Sequence, residues 1–333
     1  MLGSLFKALL WPVTVPFKLF LWPVQVLNTL TRLCLAVTCI ATATGFFGQW
    51  HWLLDLTSHF RLQYALILLI LSVVFTVTLN KKKALTAAIF LVFNLIPLWP
   101  FLPHSTHPLD NPAASIRILH ANLWYLNWDS SSITKLIQRE KPDILSLAEY
   151  DSGWKQKLDN TQALIEYPYH ISNRDIGLFS RTPLHDLKML RTPASDRETM
   201  TGTLIVKNRP VQIFATHTWT PLSPKRFLSQ REHFRFIGIQ VQKYKTPSIL
   251  VGDLNTTPWS SNYQLLQETS GLIDTQQSSG LQPSWPTWLV IPWLALDNVF
   301  VSPQLHVSKR YLGPYIASDH FPVIAEIQIP GSQ

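Results

Sequence analysis

Polar residues stand where apolar runs of the chain stop. Asn122 follows SIRILHA, Glu149 follows LSLA, His217 follows FAT, Asp253 and Asn255 follow SILVG, Asp297 opens LDNVFV, and Asp319 and His320 precede PVIAEIQI. Each has an ordinary local reading: GDLN makes a good Asx turn, SDH a good loop, and Asn122 a strand cap. Their recurrence at one strand end after another points instead to a single cleft that they share. Carboxylates and carboxamides are oxygen donors, which suit Mg²⁺ or Mn²⁺ rather than Zn²⁺. No thiolate or paired-histidine spacing argues for zinc in this part of the chain.

The elements needed to position these groups are legible in outline. Strands are predicted at Ser115–Ala121, Asp143–Ala148, Gly177–Ser180, Gly202–Val206, Val211–Thr216, Ser248–Val251, Asp297–Val301 and Val323–Ile329. Helices are predicted at Ser131–Glu140, where Ile133, Leu136 and Ile137 share a face, and at Lys225–Lys243. Many short strands with helices between them predict an α+β domain of two stacked sheets flanked by helices.

The ordered set N–E–H–GDxN–D–SDH, with DIGLFSR at 175–181, resembles the endonuclease/exonuclease/phosphatase superfamily over about residues 115–330. The resemblance implies a DNase-I-like two-layer β-sandwich and metal-dependent hydrolysis of phosphoric esters. It implies Glu149 as the main metal ligand, with Asn122 and Asp319 nearby. Asp253 would orient or deprotonate the attacking water, and Asn255 would hold a phosphate oxygen or position Asp253. His320 would contact the phosphate as base or cation, Asp297 would fix its tautomer, and His217 would bind phosphate or help protonate the leaving group. Which of Asp253 and His320 takes the proton stays open. Two departures, Ala148 where many members carry Gln and Asn298 where an aromatic or His is common, leave the substrate open.

Composition divides the 333-residue chain. It is 47% hydrophobic and only 14% charged, with a net charge of +8 and two cysteines, which excludes disordered, collagen-like and disulfide-scaffold classes. The first 103 residues hold seven Lys/Arg and one acid, Asp55. Spans are expected at about 27–48, 62–79 and 84–102, with Pro12, Pro16 and Pro23 breaking the run that precedes the first. Lys7, Lys18, Arg32 and the Lys81–Lys83 loop mark the cytoplasmic side, so the domain after the third span is expected outside a bacterial inner membrane. A linker follows at 104–114; its His104 and His107 read as solvated residues before a metal pair.

Basic charge concentrated in the anchor weakens the case for nucleic acid. Lys225, Arg226, Arg231 and Arg235 read as a solvated helix face, or one of them reads a phosphate. Ser284–Leu296 (SWPTWLVIPWLAL) carries three Trp and no charge. It is either a core strand with its turn or an apolar lip that dips into lipid. The arrangement resembles a membrane-anchored branch of the superfamily with three spans and an external catalytic domain, and that resemblance implies a lipid-linked substrate such as a polyprenyl pyrophosphate. An extracytoplasmic nuclease and a non-catalytic scaffold are the alternatives.

Overall fold

The computed structural model describes residues 2–102, 109–110, 112–193, 195–289 and 292–331, and side chains from Pro23 onward except at 278. His104 and His107 lie outside the described residues. Four helices come first: α1 (Leu2–Thr44), α2 (Trp52–Ser58), α3 (Arg61–Val77) and α4 (Lys81–Leu98). The sandwich follows as β1 (Ala114–Asn122), α5 (Ser131–Glu140), β2 (Ile144–Ala148), α6 (Ser152–Asn160), β3 (Tyr169–Ser172), β4 (Ile176–Ser180), β5 (Leu184–Arg191), β6 (Glu198–Val206) and β7 (Arg209–His217). It closes with α7 (Pro224–Lys243), β8 (Ser248–Asp253), α8 (Ser261–Ser270), β9 (Ile273–Asp274), α9 (Gln276–Ser279), β10 (Asp297–Val301), β11 (His306–Leu312) and β12 (Val323–Ile329).

Two six-stranded sheets run β11-β12-β1-β2-β4-β3 and β5-β6-β7-β8-β10-β9. Their inner faces meet through Ile118, Ile144, Leu178, Ile213, Val251 and Val299, all fully buried. Leu136, Ile137 and Trp154 cover one outer face from α5 and α6. Phe234, Ile237 and Leu266 cover the other from α7 and α8. This is the expected α+β architecture.

The strands that sequence reading leaves unassigned are β3, β5, β9 and β11, which are the four sheet edges. An edge strand is half solvated and needs no continuous apolar run. The β5 sequence LHDLKMLR keeps only Leu184 buried, whereas all five residues of β2 are. Ser284–Leu296 is not a core strand. Its only pairing among the described residues is a bridge of Trp285 to Leu294, and Trp288, Leu289 and Trp293 stay exposed. Trp288 leans on Trp124 with ring centres 5.9 Å apart.

The anchor departs from expectation in two ways. Pro12, Pro16 and Pro23 do not break the first apolar run, because α1 continues through them. A proline inside a helix removes its own donor and crowds the carbonyl four residues before it, which bends a helix more readily than it ends one. Two helical stretches are long and apolar enough to cross a membrane, Pro23–Trp50 and Lys81–Phe101; α3 qualifies only together with α2, bent from it by 60°. Leu66, Ile70, Val73, Val77, Ile89, Val92 and Ile96 are all exposed on these helices. A band of this size is rare on soluble proteins and normal against lipid.

Candidate active site

Strand pairing alone assembles half of the site. In the second sheet, His217 of β7 stands opposite Asp253 of β8, and Asp253 stands opposite Asp297 of β10. Residues in lateral register on adjacent strands share a face and a level, so these three side chains are neighbours. In the first sheet, Asn122 pairs with Ala148, and Glu149 is the next residue. The parallel approach of β7 and β8 requires glycine at position 252, where a Cβ would stand 1.8 Å from the Thr216 carbonyl oxygen.

Asn122 joins the two sheets. Its Nδ2 donates to Glu149 Oε1 at 3.1 Å and to Asp253 Oδ2 at 3.0 Å. Glu149 has a left-handed backbone (φ 54°), a conformation that costs a non-glycine residue of order 1–3 kcal/mol and collects at functional sites. Its Oε2 accepts from the Tyr125 N–H at 2.8 Å. The Asx turn is present as well: Asp253 Oδ1 accepts from Asn255 N at 2.8 Å. The turn thereby aims the other oxygen, Oδ2, at the cleft, 3.7 Å from His217 Nε2 and 3.9 Å from His320 Nε2.

Asp297 is fully buried between two imidazoles. His320 Nδ1 lies 2.7 Å from its Oδ2, and His120 Nε2 lies 3.1 Å from its Oδ1. Burial alone would raise this carboxyl, but His320 and then His120 hold it well below the usual range. Burial would lower His320; Asp297 and then Asp253 outweigh it and lift the imidazole to about 10. Asp253 is pushed up by burial and by Asp297, against His320 and His217. His217 has its own carboxylate: Nδ1 lies 2.9 Å from Asp175 Oδ1, and Asp175 also pairs with Arg197. Burial works against both charges, yet Asp175 raises His217, while His217 and Arg197 bring Asp175 down to about 2.

Asp253, Asp297 and His320 approach within 4.8 Å of one another, as a ligand set would. Both Asp297 oxygens are already taken by imidazoles, so we read this group as a charge-paired hydrogen-bond string. Asp319 fits a cation better. Its Oδ2 accepts from Trp285 Nε1 at 3.1 Å, but its Oδ1 is buried with no hydrogen-bond partner. Burial raises Asp319, against His320 and the Trp285 N–H, and Glu149 and Asp253 raise it further. A carboxylate oxygen left uncompensated among acids and amides fits a hard divalent ion with Glu149, Asn122 and Asp319 around it.

All eight residues singled out in the sequence therefore meet at one place. Asn122, Glu149, His217, Asp253, Asn255, Asp319 and His320 line one cleft of about 500 Å³, and Asp297 sits behind it. Of the basic residues on α7, Arg226 lines this cleft and lies over the Trp219 ring, whereas Arg231 faces a separate pocket. Sequence reading missed Asp175, Arg197 and His120. His120 carried a signal: it lies two residues before Asn122, on the same face of an otherwise apolar strand end. Asp175 also stood at a strand entrance, immediately before β4. Arg197 precedes β6 and had no such mark.

Residues 119–320 match the profile of the endonuclease/exonuclease/phosphatase family. Among curated proteins no match is found. Solved structures share the fold at low identity. An endonuclease/exonuclease/phosphatase from Bacteroides vulgatus aligns with a TM-score of 0.57 and 17% identity, over 65% of this chain and 99% of its own. One from Beutenbergia cavernae gives 0.55 and 21%, over 65% and 72%. The human Nocturnin catalytic domain, solved with bound sulfate, gives 0.53 and 19%, over 66% and 96%. The matched segment is more than half of the chain and contains every strand-end group described above, and the chain belongs to the endonuclease/exonuclease/phosphatase family.

Proposed function

We propose that this protein is a membrane-anchored, divalent-metal-dependent phosphoesterase that hydrolyses a phosphate ester or pyrophosphate of a lipid-linked substrate at the outer face of a bacterial inner membrane. The observation that carries the reading is the convergence of the strand-end acids, amides and imidazoles in one cleft that also touches the anchor.

Glu149, with Asn122 and Asp319, would hold Mg²⁺ or Mn²⁺. The ion supplies charge neutralisation at the phosphoryl and leaving oxygens. Asp253 Oδ2 accepts the proton of the attacking water, since a buried carboxylate raised above its usual range is a competent base. Its aim is fixed by the Asn122 amide and the Asn255 N–H. His320, kept as imidazolium by Asp297, donates to a non-bridging phosphate oxygen, where charge builds in the transition state. His217, oriented by Asp175, serves the phosphate or the leaving oxygen. Asn255 positions it, with Nδ2 held by the Thr218 carbonyl at 2.9 Å and lying 3.2 Å from His217 Nε2.

Orientation rests on charge and length. The contacts between anchor and sandwich lie on α2, at the start of α3 and just past the end of α4, whereas Lys81–Lys83 lie at the opposite end of the α3–α4 hairpin. With 17 residues in α3, the two ends are about 25 Å apart. A cytoplasmic triple-lysine end puts the cleft on the other side.

The full-length protein in detergent or nanodiscs should be given bis-p-nitrophenyl phosphate, duplex DNA and a polyprenyl pyrophosphate, each with Mg²⁺ and with EDTA. Metal-dependent turnover of the first and third is expected. Turnover of DNA alone would replace the lipid reading with a nuclease, and turnover of none would leave a scaffold.

A further inference from the structure

The sandwich does not enclose its cleft alone. Leu56, His59 and Phe60 line it too, and they belong to the bend between α2 and α3 of the anchor. This bend is pinned to the sandwich. Asp55 is buried and accepts from Ser260 Oγ at 2.8 Å and from Ser261 N at 2.7 Å, at the N-terminus of α8, where a carboxylate is favoured. A Cβ on Gly48 would stand 2.5 Å from Asp55 Oδ1, so the preceding turn has room only for glycine. His59 Nδ1 lies 3.0 Å from Thr257 Oγ1, and the His59 carbonyl accepts from Trp259 Nε1 at 3.0 Å. Gln63 Nε2 donates to the carbonyl of Trp293 at 3.0 Å, which ties the start of α3 to the 284–296 lip. Bend and lip are thus one continuous wall.

The cleft is graded. Glu149, Asp253, Asp319 and the imidazoles line it together with Leu56, Phe60, Leu222, Pro292 and Leu294; Asp253, His217 and His320 are buried, whereas Leu222 is exposed. Outside it, Trp288, Leu289 and Trp293 are exposed on the lip, and α3 begins its lipid-facing surface at Leu66. Against Leu56, Leu222, Pro292 and Leu294 a hydrocarbon chain gains about fourfold in affinity per buried methylene. A cleft of about 500 Å³ is within the usual range for one small-molecule site. It has room for the head of such a substrate and the first part of its chain.

Resting on the phosphoesterase reading above, we infer that the anchor is part of the active site: Leu56 and Phe60 form a chain-binding wall, continuous with the lip, that selects substrates carrying a hydrocarbon chain. The tether then does more than keep the domain near the membrane. It sets the line along which the chain leaves the cleft, from the phosphate at Glu149 and Asp319 to the bilayer beside α3.

The test compares full-length wild type with Phe60→Ser, Leu56→Ser and the conservative Phe60→Leu in nanodiscs. Each receives two pyrophosphate esters, one with a long prenyl chain and one with a methyl group, with Mg²⁺. Partition into the bilayer is the same for all variants, so differences between them report the wall. Phe60→Ser should lose tenfold or more in kcat/KM on the prenyl substrate and less than threefold on the methyl one, with Leu56→Ser in the same direction and Phe60→Leu near wild type. An unchanged preference in both serine variants overturns the inference and leaves the phosphoesterase reading intact. An equal loss on both substrates overturns it as well, since the bend then acts through folding. Absence of metal-dependent hydrolysis of either substrate by wild type removes the phosphoesterase reading itself.

Discussion

Replacing Asp297 by Asn isolates the electrostatic core of the site. Asp297 does not line the cleft; it acts through His320, 2.7 Å away. The difference between about 10 and the ordinary imidazole value of 6.5 corresponds to ~5 kcal/mol in favour of the imidazolium. Asp297 supplies the largest favourable part, and Asp253 the next. Without Asp297, burial, which lowers His320, is opposed only by Asp253 and Asp319, so His320 should titrate well below its wild-type value. At pH 8, where wild-type His320 is nearly all protonated, the protonated fraction should then fall. If the imidazolium is the working form, kcat/KM on bis-p-nitrophenyl phosphate should fall at least tenfold at pH 8 and much less at pH 6. The histidine ring resonances, followed by NMR in metal-free buffer, give the titration directly. The sign for stability follows the same shift. A histidine raised in the folded state contributes fully below about 6.5, and the contribution is lost as pH climbs through about 10. Wild type should therefore lose stability over that alkaline window and Asp297→Asn should not. A variant whose His320 still titrates above pH 9, or whose activity loss is the same at pH 6 and pH 8, would refute the reasoning. Activity that rises at neutral pH would instead make neutral His320 the base.

Other substitutions probe separate parts. Asp253→Ala and His320→Ala should each cut turnover of the same diester at least ~10²-fold; near-normal rates in either purified variant would remove the assigned mechanism. Asp319→Asn and Glu149→Gln should raise the Mn²⁺ concentration for half-saturation tenfold or more, read by electron paramagnetic resonance of free Mn²⁺, and unchanged binding would move the cation elsewhere. Asp55→Leu removes two hydrogen bonds to a buried carboxylate, each worth about 1.5–3 kcal/mol. It should lower the melting temperature by several degrees, and an unchanged melting temperature would mean that the bend is not pinned. Gly252→Ala should unfold the sandwich or cost more than about 3 kcal/mol, measured by chemical denaturation, because nothing but backbone faces the new methyl.

The interior strands, the long apolar helices and the polar strand ends were legible in the sequence alone. The physical reason is that a strand buried on both faces must be apolar along its length, so β2, β8 and β10 announce themselves and the first polar residue past each is conspicuous. Edge strands β3 and β11 carry no such demand and stayed hidden. Local pattern also could not show which partner each titratable group has. Lateral register set His217, Asp253 and Asp297 side by side, although 80 residues of chain separate the outer two. Only the packed structure joined His120 to Asp297, Asp175 to His217, and the buried Asp55 of the anchor to the start of α8. Contacts of this kind depend on how sheets and helices are brought together, and a charge reads the same in a sequence whether it is solvated or is the pin that holds an apolar helix to the sandwich.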